Sequence, residues 1–281
     1  MALETAKDIS KKSKSSFYYA FNLLPAPKRD AMNTVYAFCR KTDDIVDEGI
    51  ETDSQKYHKL VTWRTELENA FNNNSEFPLL NKVASTISQF DIPVEHFFEL
   101  IRGMEMDLQK SRYASFDELK LYCYRVASTV GLMCIEIFGY KHKSAKEFAE
   151  DLGIALQLTN ILRDVAKDAK NDRIYIPREE MEKFNYSEAD LLNGVYNDNF
   201  ISLMEFQANR AKRYFDKATH CLNFEDKASM FAARAMQHIY YRILERIIQA
   251  KYDVYNKNIK LSKFEKVGIS LGVWVKYNLV Y

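Results

Sequence analysis

The segment LQLTNILRDVAKD, residues 156–168, restricts the fold more tightly than any other part of the chain. On a helical period Gln157, Asn160, Asp164 and Asp168 fall at offsets 0, 3, 7 and 11, one stripe along a 3.6-residue repeat. Nearly everything else between Ile154 and Ala166 is apolar: Ile154, Ala155, Leu156, Leu158, Ile161, Leu162, Val165 and Ala166. A helix on the surface of a globular protein carries an apolar stripe on a polar cylinder. Here the pattern is inverted. The helix must be buried on most sides, and its single polar line must face something that needs two amides and two carboxylates.

A second segment repeats the motif. In VYAFCRKTDDIVDE, residues 35–48, Tyr36, Arg40, Asp43 and Asp47 lie at offsets 0, 4, 7 and 11, with Asp44 beside them. Each helix therefore carries a D-x-x-x-D pair preceded by polar groups one and two turns earlier. Carboxylates at i and i+4 stand side by side and repel by about 0.2–0.5 kcal/mol when exposed. Buried, they cost far more unless a cation joins them. Magnesium suits such a place, because it binds one or two carboxylates, keeps several waters, and bridges to phosphate oxygens. Arg40, Lys41, Arg163, Lys167 and Arg173 are near enough in sequence to contact such phosphates. A single D-x-x-x-D on a helix is usually a solvated face. Two of them in one chain, one on an otherwise apolar helix, point to a metal–diphosphate site with hydrocarbon walls.

The rest of the chain agrees with a helical protein. Eight Gly and five Pro in 281 residues are few, which favours long helices with short connections. Helical patterning starts near Ala6 and breaks at LLPAPKR. Further helices are predicted at 29–47, 55–72, 78–90, 93–110, 116–138, 144–168, 187–194, 199–220, 224–250 and 261–278, with one short extended piece at 173–176. No composition shift marks a linker, so residues 1–281 read as a single all-α domain. Eighteen Phe and eighteen Tyr either fill a core or line a large apolar cavity. Forty basic against 39 acidic residues leave no field that would attract nucleic acid. Four separated cysteines (Cys39, Cys123, Cys134 and Cys221) read as reduced thiols, and MALETAKDISKKSKSSF lacks the apolar region of a signal peptide. These features predict a cytoplasmic protein. The G-x-S-x-G match at 268–272 lies in a helical context, not between a strand and a helix, and is set aside. There is no H-E-x-x-H, E-x-x-H, G-x-G-x-x-G or G-K-[ST].

Taken together, SSFYYAFNLLP (15–25), VYAFCRKTDDIVDE, LIRGMEMDL (100–108), YCYRVASTVG (122–131), LGIALQLTNILRDVAKDAKNDRIYIP (152–177) and YDVYNKNIKLSKFEKV (252–267) resemble the squalene/phytoene synthase family over nearly the whole chain. The resemblance implies an all-α isoprenoid synthase fold, helices around a central apolar cavity. It also implies Mg²⁺, or Mn²⁺ in its place, and head-to-head condensation of two identical prenyl diphosphates through a cyclopropylcarbinyl diphosphate. By matching positions, Asp43, Asp44, Asp47, Asp164 and Asp168 look like metal ligands. Tyr36, Arg40, Tyr122, Gln157 and Asn160 look like groups at the reacting centre. Ser16, Phe17, Phe21, Val126, Val130, Arg163, Arg173, Tyr175, Tyr240 and Lys257 look like substrate contacts. Family members often carry Arg where this chain has Lys257, which supplies a point charge in place of a bidentate fork.

The resemblance leans to a phytoene synthase, which joins two geranylgeranyl diphosphates, because of the C-terminal segment. Phe21, one turn from Phe17, argues instead for a 15-carbon substrate, so squalene, dehydrosqualene or presqualene diphosphate synthases remain the alternative. NADPH would be needed only for squalene. Head-to-tail chain elongation and a non-catalytic helical scaffold are the rival readings. Lys251, Lys257, Lys260, Lys263, Lys266 and Lys276 around the apolar run VGISLGVWV suggest a peripheral membrane contact. No feature of the sequence sets an oligomeric state.

Overall fold

The computed structural model describes Ala6 and residues 21–279, the last two by backbone alone. Ser16 and Phe17, and most of the helix expected from Ala6, lie outside the described residues. Pro25 caps the first long helix and Pro27 falls in its first turn, where no amide hydrogen is required. The prolines that end the preceding segment thus also start α1 (Ala26–Asp47), three residues earlier than predicted. Thr52 and Gln55 form a reciprocal capping box on α2 (Asp53–Ala70). Then come α3 (Pro78–Phe90) and α4 (Glu95–Gln109).

The predicted helix at 116–138 is interrupted. It starts as α5 (Phe116–Cys123), passes through one π turn at Tyr124–Ser128, and continues as α6 (Thr129–Phe138) until Gly139, with φ of 75°, ends it. By length and composition this helix could cross a membrane, but most of α6 is buried in the core. The inverted helix of the sequence is α7 (Ser144–Lys170), 27 residues long. It runs through the middle of the molecule and packs on the π turn, on α6, on α10 (Asp198–Cys221) and on α11 (Phe231–Gln249). Its position explains why only one stripe of it is polar.

Between α7 and α10 lie two short helices, α8 (Arg178–Lys183) and α9 (Glu188–Leu192). The extended piece at 173–176 is present as a strap with a single parallel bridge between Arg112 and Ile174, where the Ile174 amide donates to the Ser111 carbonyl at 2.9 Å. Arg112 ties the strap down through Asp172 at 2.6 Å and Glu188 at 2.7 Å. Beyond it, buried Glu180 is gripped by Arg210 of α10, whose guanidinium lies 3.8 Å from the centre of the Phe116 ring. The predicted 224–250 helix is broken, because the Asp226 carboxylate accepts the Lys141 and His142 amides at 2.7 and 3.1 Å. A short 3₁₀ turn, Phe224–Asp226, precedes α11 for that reason. The last helix is α12 (Lys263–Leu279).

Candidate active site

Both polar stripes face one cavity of about 750 Å³. From α1 come Tyr36, Arg40, Asp43 and Asp47; from α7 come Gln157, Asn160, Arg163, Asp164 and Asp168. The helix through the π turn adds Tyr122 and Val126, the strap adds Arg173 and Tyr175, and α11 adds Tyr240. A deeper apolar recess of about 220 Å³ shares Tyr36, Cys39, Val126, Gln157, Asn160 and Tyr240 with this cavity. Phe21, Val130, Cys134, Phe138 and Phe148 are among its walls. The site thus has a charged outer chamber that opens past two amides into a greasy one.

Three residues expected at the site, Asp44, Lys257 and Lys41, fall elsewhere. Asp44 does not line the cavity: one residue past Asp43 is about 100° further round the helix, and Arg40 holds Asp44 there at 2.7 Å. Lys257 lies in a neighbouring depression of about 560 Å³, with its Nζ 3.3 Å from the Ala250 carbonyl. The chain leaves α11 through Lys251 and Tyr252 in the left-handed region, with φ of 56° and 62°. The segment carrying Lys257 is thereby turned to the far side of Arg163, Asp164 and Lys167, which line both spaces. Lys167 lines the main cavity, and Lys41 does not.

The acidic groups are held by arginines. Arg40 reaches Asp43 at 3.2 Å, Arg163 grips Asp164 at 2.8 and 2.5 Å, and Arg173 from the strap spans to Asp47 of α1 at 3.0 Å. These pairs do not discharge the chamber. Burial and then the charge of Asp47 push the Asp43 carboxyl up to about 6. Burial and then Asp164 push Asp168 up to about 7. Both shifts mark carboxylates short of positive charge. Asp43 with Asp47, and Asp164 with Asp168, are the groups that could hold divalent cations. Among the described residues no three His, Cys, Asp or Glu side chains converge into a closed metal site. The open pairs leave coordination positions for water and phosphate oxygens, which is the donor set magnesium prefers.

The sequence reading missed Asp107. It projects from α4 into the same cavity and accepts hydrogen bonds from Tyr122 at 3.0 Å and Tyr175 at 2.9 Å. Burial raises its carboxyl to about 6 despite the opposing charge of Arg173. The two tyrosine rings stack 5.2 Å apart, and burial raises the Tyr122 hydroxyl far above its ordinary range. Leu100, Met104 and Asp107 occupy one face of α4 and all line the cavity. A carboxylate ending an apolar stripe was the available signal, but with no acidic partner at i±4 it did not stand out. The Asn160 Oδ1 is buried without a hydrogen-bond partner at the boundary between the chambers, a polar atom left over for a ligand.

The all-α body encloses an apolar recess behind a carboxylate-lined mouth, as the isoprenoid synthase fold implied by the sequence resemblance requires. A solved dehydrosqualene synthase in complex with ligand superimposes on the chain with a TM-score of 0.85, covering 98% of this chain and 96% of that one at 27% identity. The squalene/phytoene synthase family profile matches residues 10–265, and the chain belongs to that family. It is 36% identical to the 15-cis-phytoene synthase of Synechococcus elongatus, over 95% of this chain and 90% of the relative. It is 37% identical to that of Synechocystis sp., over 91% and 79%.

Proposed function

We propose that this prenyltransferase is a phytoene synthase, condensing two geranylgeranyl diphosphates head to head for carotenoid biosynthesis. The relatives named phytoene synthase over nearly the full chain support the product. The observation that carries the chemistry is the convergence of both polar stripes on one cavity that continues into an apolar recess.

Diphosphate groups bind in the outer chamber and the prenyl chains lie in the recess. Asp43, Asp47, Asp164 and Asp168 would hold magnesium, which would supply positive charge against the charge that develops on the departing diphosphate. Arg40, Arg163 and Arg173, now engaged with carboxylates, turn to the phosphate oxygens. The C1–O bond of one substrate breaks, and the double bond of the second attacks the allyl cation. Loss of a proton from C1 of the first substrate closes the cyclopropane between that carbon and C2 and C3 of the second, whose own C1 keeps its diphosphate. The remaining diphosphate then leaves, the skeleton rearranges, and loss of a second proton forms the central double bond. No reductant is consumed, so NADPH has no part in this product.

Gln157 and Asn160 stand where the chambers meet, beside the reacting carbons. Tyr36, Tyr122, Tyr240 and Val126 shield the cation from water, and the ring faces stabilise it by about 0.5–2 kcal/mol. Asp107, behind Tyr122 and Tyr175, accepts one departing proton, the released diphosphate taking the other: a proton taken by the Tyr122 oxygen is matched by the one that Tyr122 passes to Asp107. The protein works on greasy substrates in the cytoplasm at a membrane surface.

The test is a product assay with purified protein, Mg²⁺, and geranylgeranyl or farnesyl diphosphate, with and without NADPH. Phytoene from the 20-carbon substrate without NADPH is the expected outcome. A 30-carbon product from farnesyl diphosphate alone would overturn the substrate assignment.

A further inference from the structure

The last helix wears apolar residues on its outer side. Phe264, Val267, Leu271 and Val275 fall at offsets 0, 3, 7 and 11 and are 90%, 37%, 45% and 43% exposed. Gly268 and Gly272 share the stripe, and a Cβ on either would meet nothing within 4 Å. The opposite side of α12, with Ser270, Val273 and Tyr277, is already buried, and the helix packs on α11. The helix therefore has two apolar faces, and only one of them finds a place in the described fold.

What surrounds the outer stripe is basic. From 251 to 279 there are six lysines, Lys251, Lys257, Lys260, Lys263, Lys266 and Lys276, against two acids. Both acids are engaged within the protein: Glu265 by Arg246, and Asp253 by the amide of Asn256 at 3.1 Å. The depression beside α12 is lined by Lys170, Lys257, Lys260 and Lys266, together with Arg163 and Lys167. Asp164 is its one acidic wall, and Arg163 already pairs with it. Lys266 has its ammonium pKa lowered first by burial and then by the charge of Arg163.

We propose that the outer face of α12 and the lysine-lined depression beside it form a docking surface for an anionic lipid bilayer. This deepens the reading of a membrane-surface enzyme and rests on it for its purpose. Apolar residues at helical spacing framed by lysines are what an interfacial helix presents: side chains enter the acyl boundary while the ammonium groups meet lipid phosphates. A second copy of the chain fits less well, because a two-fold pairing of α12 would set its lysines against the same lysines. The depression and the catalytic cavity share Arg163, Asp164 and Lys167 as a dividing wall. Docking there brings the cavity next to the phase in which 20-carbon prenyl chains dissolve.

Flotation of the full chain with phosphatidylcholine vesicles, with and without phosphatidylglycerol, tests this directly. At low salt the protein floats with the anionic vesicles and not with the neutral ones. The double variants F264S/L271S and K260Q/K263Q each weaken partitioning by about tenfold or more, with the thermal melt and the turnover of detergent-dispersed substrate unchanged. Excess inorganic phosphate at constant ionic strength leaves flotation intact. Its release by phosphate would instead make the depression a site for a soluble anion and overturn the proposal. Failure to float, or a dimer by light scattering that F264S/L271S dissociates, would also overturn it. Turnover in detergent stands apart from all of these results, so loss of the docking surface and loss of the proposed activity are read separately.

Discussion

At the scale of single residues, the site is a set of carboxylates kept in a high-energy state. Asp43 and Asp168 have their acid forms favoured by burial and by a like charge one helical turn away. That destabilisation is what a cation relieves. Asp47→Asn and Asp164→Asn each remove half of a pair, so each lowers phytoene formation by about 10²-fold or more while the far-ultraviolet circular dichroism stays unchanged. Full activity in both variants would refute the metal assignment. Asp107→Asn leaves the tyrosines a neutral partner that takes no proton, and it slows product formation by about 10²-fold. Steady-state kinetics should place that loss in kcat, with KM nearly unchanged. The paired acids were readable from spacing alone. Asp107 was not, because its partners Tyr122 and Tyr175 are 15 and 68 residues away along the chain.

At the scale of elements, hydrophobic periodicity located most helices to within a few residues, and the inverted pattern of α7 placed that helix at the centre. The π turn at Tyr124–Ser128 left no trace in the period. It sits where α7 comes closest: a Cβ on Gly153 would lie 2.5 and 2.6 Å from the Cα and N of Ser128 and 2.8 Å from the carbonyl carbon of Ala127. Those atoms are backbone and cannot swing aside. The Ser128 hydroxyl adds a 2.7 Å bond to the Glu150 carbonyl across the same contact. Gly153→Ala therefore destabilises the protein by about 1–3 kcal/mol, seen as a lower Tm. A variant as stable as the parent would mean that the π turn yields. The effect belongs to the contact, since alanine is the better helix former in isolation.

At the scale of the whole molecule, the raised carboxyls couple stability to pH. Asp43, Asp107 and Asp168 have folded pKa values of about 6, 6 and 7 against 3.8 in the unfolded chain. The folded state therefore holds more protons between pH 4 and 7, and these groups reduce stability as pH rises through that window. His96 and His238, lowered by burial, act in the opposite sense below about pH 6.5. Subtraction isolates the carboxylate: Asp168→Asn raises the Tm at pH 7.5 and raises it much less at pH 4.5. An equal gain at both values would show that the Asp168 charge is not the cause.

Sequence periodicity alone was enough to establish an all-α chain, a central helix with one polar line, and two carboxylate pairs. Such features are local, because i, i+3, i+4 and i+7 must share a helix face whatever surrounds it. Tertiary packing supplied what spacing has no means to encode. It set the two stripes against one cavity, added Asp107 and the strap with Arg173 and Tyr175, turned Asp44 and Lys257 away, and left one face of α12 bare. Each of these depends on where remote segments come to rest. That is governed by the shape and volume of the whole core and not by the pattern of any one helix.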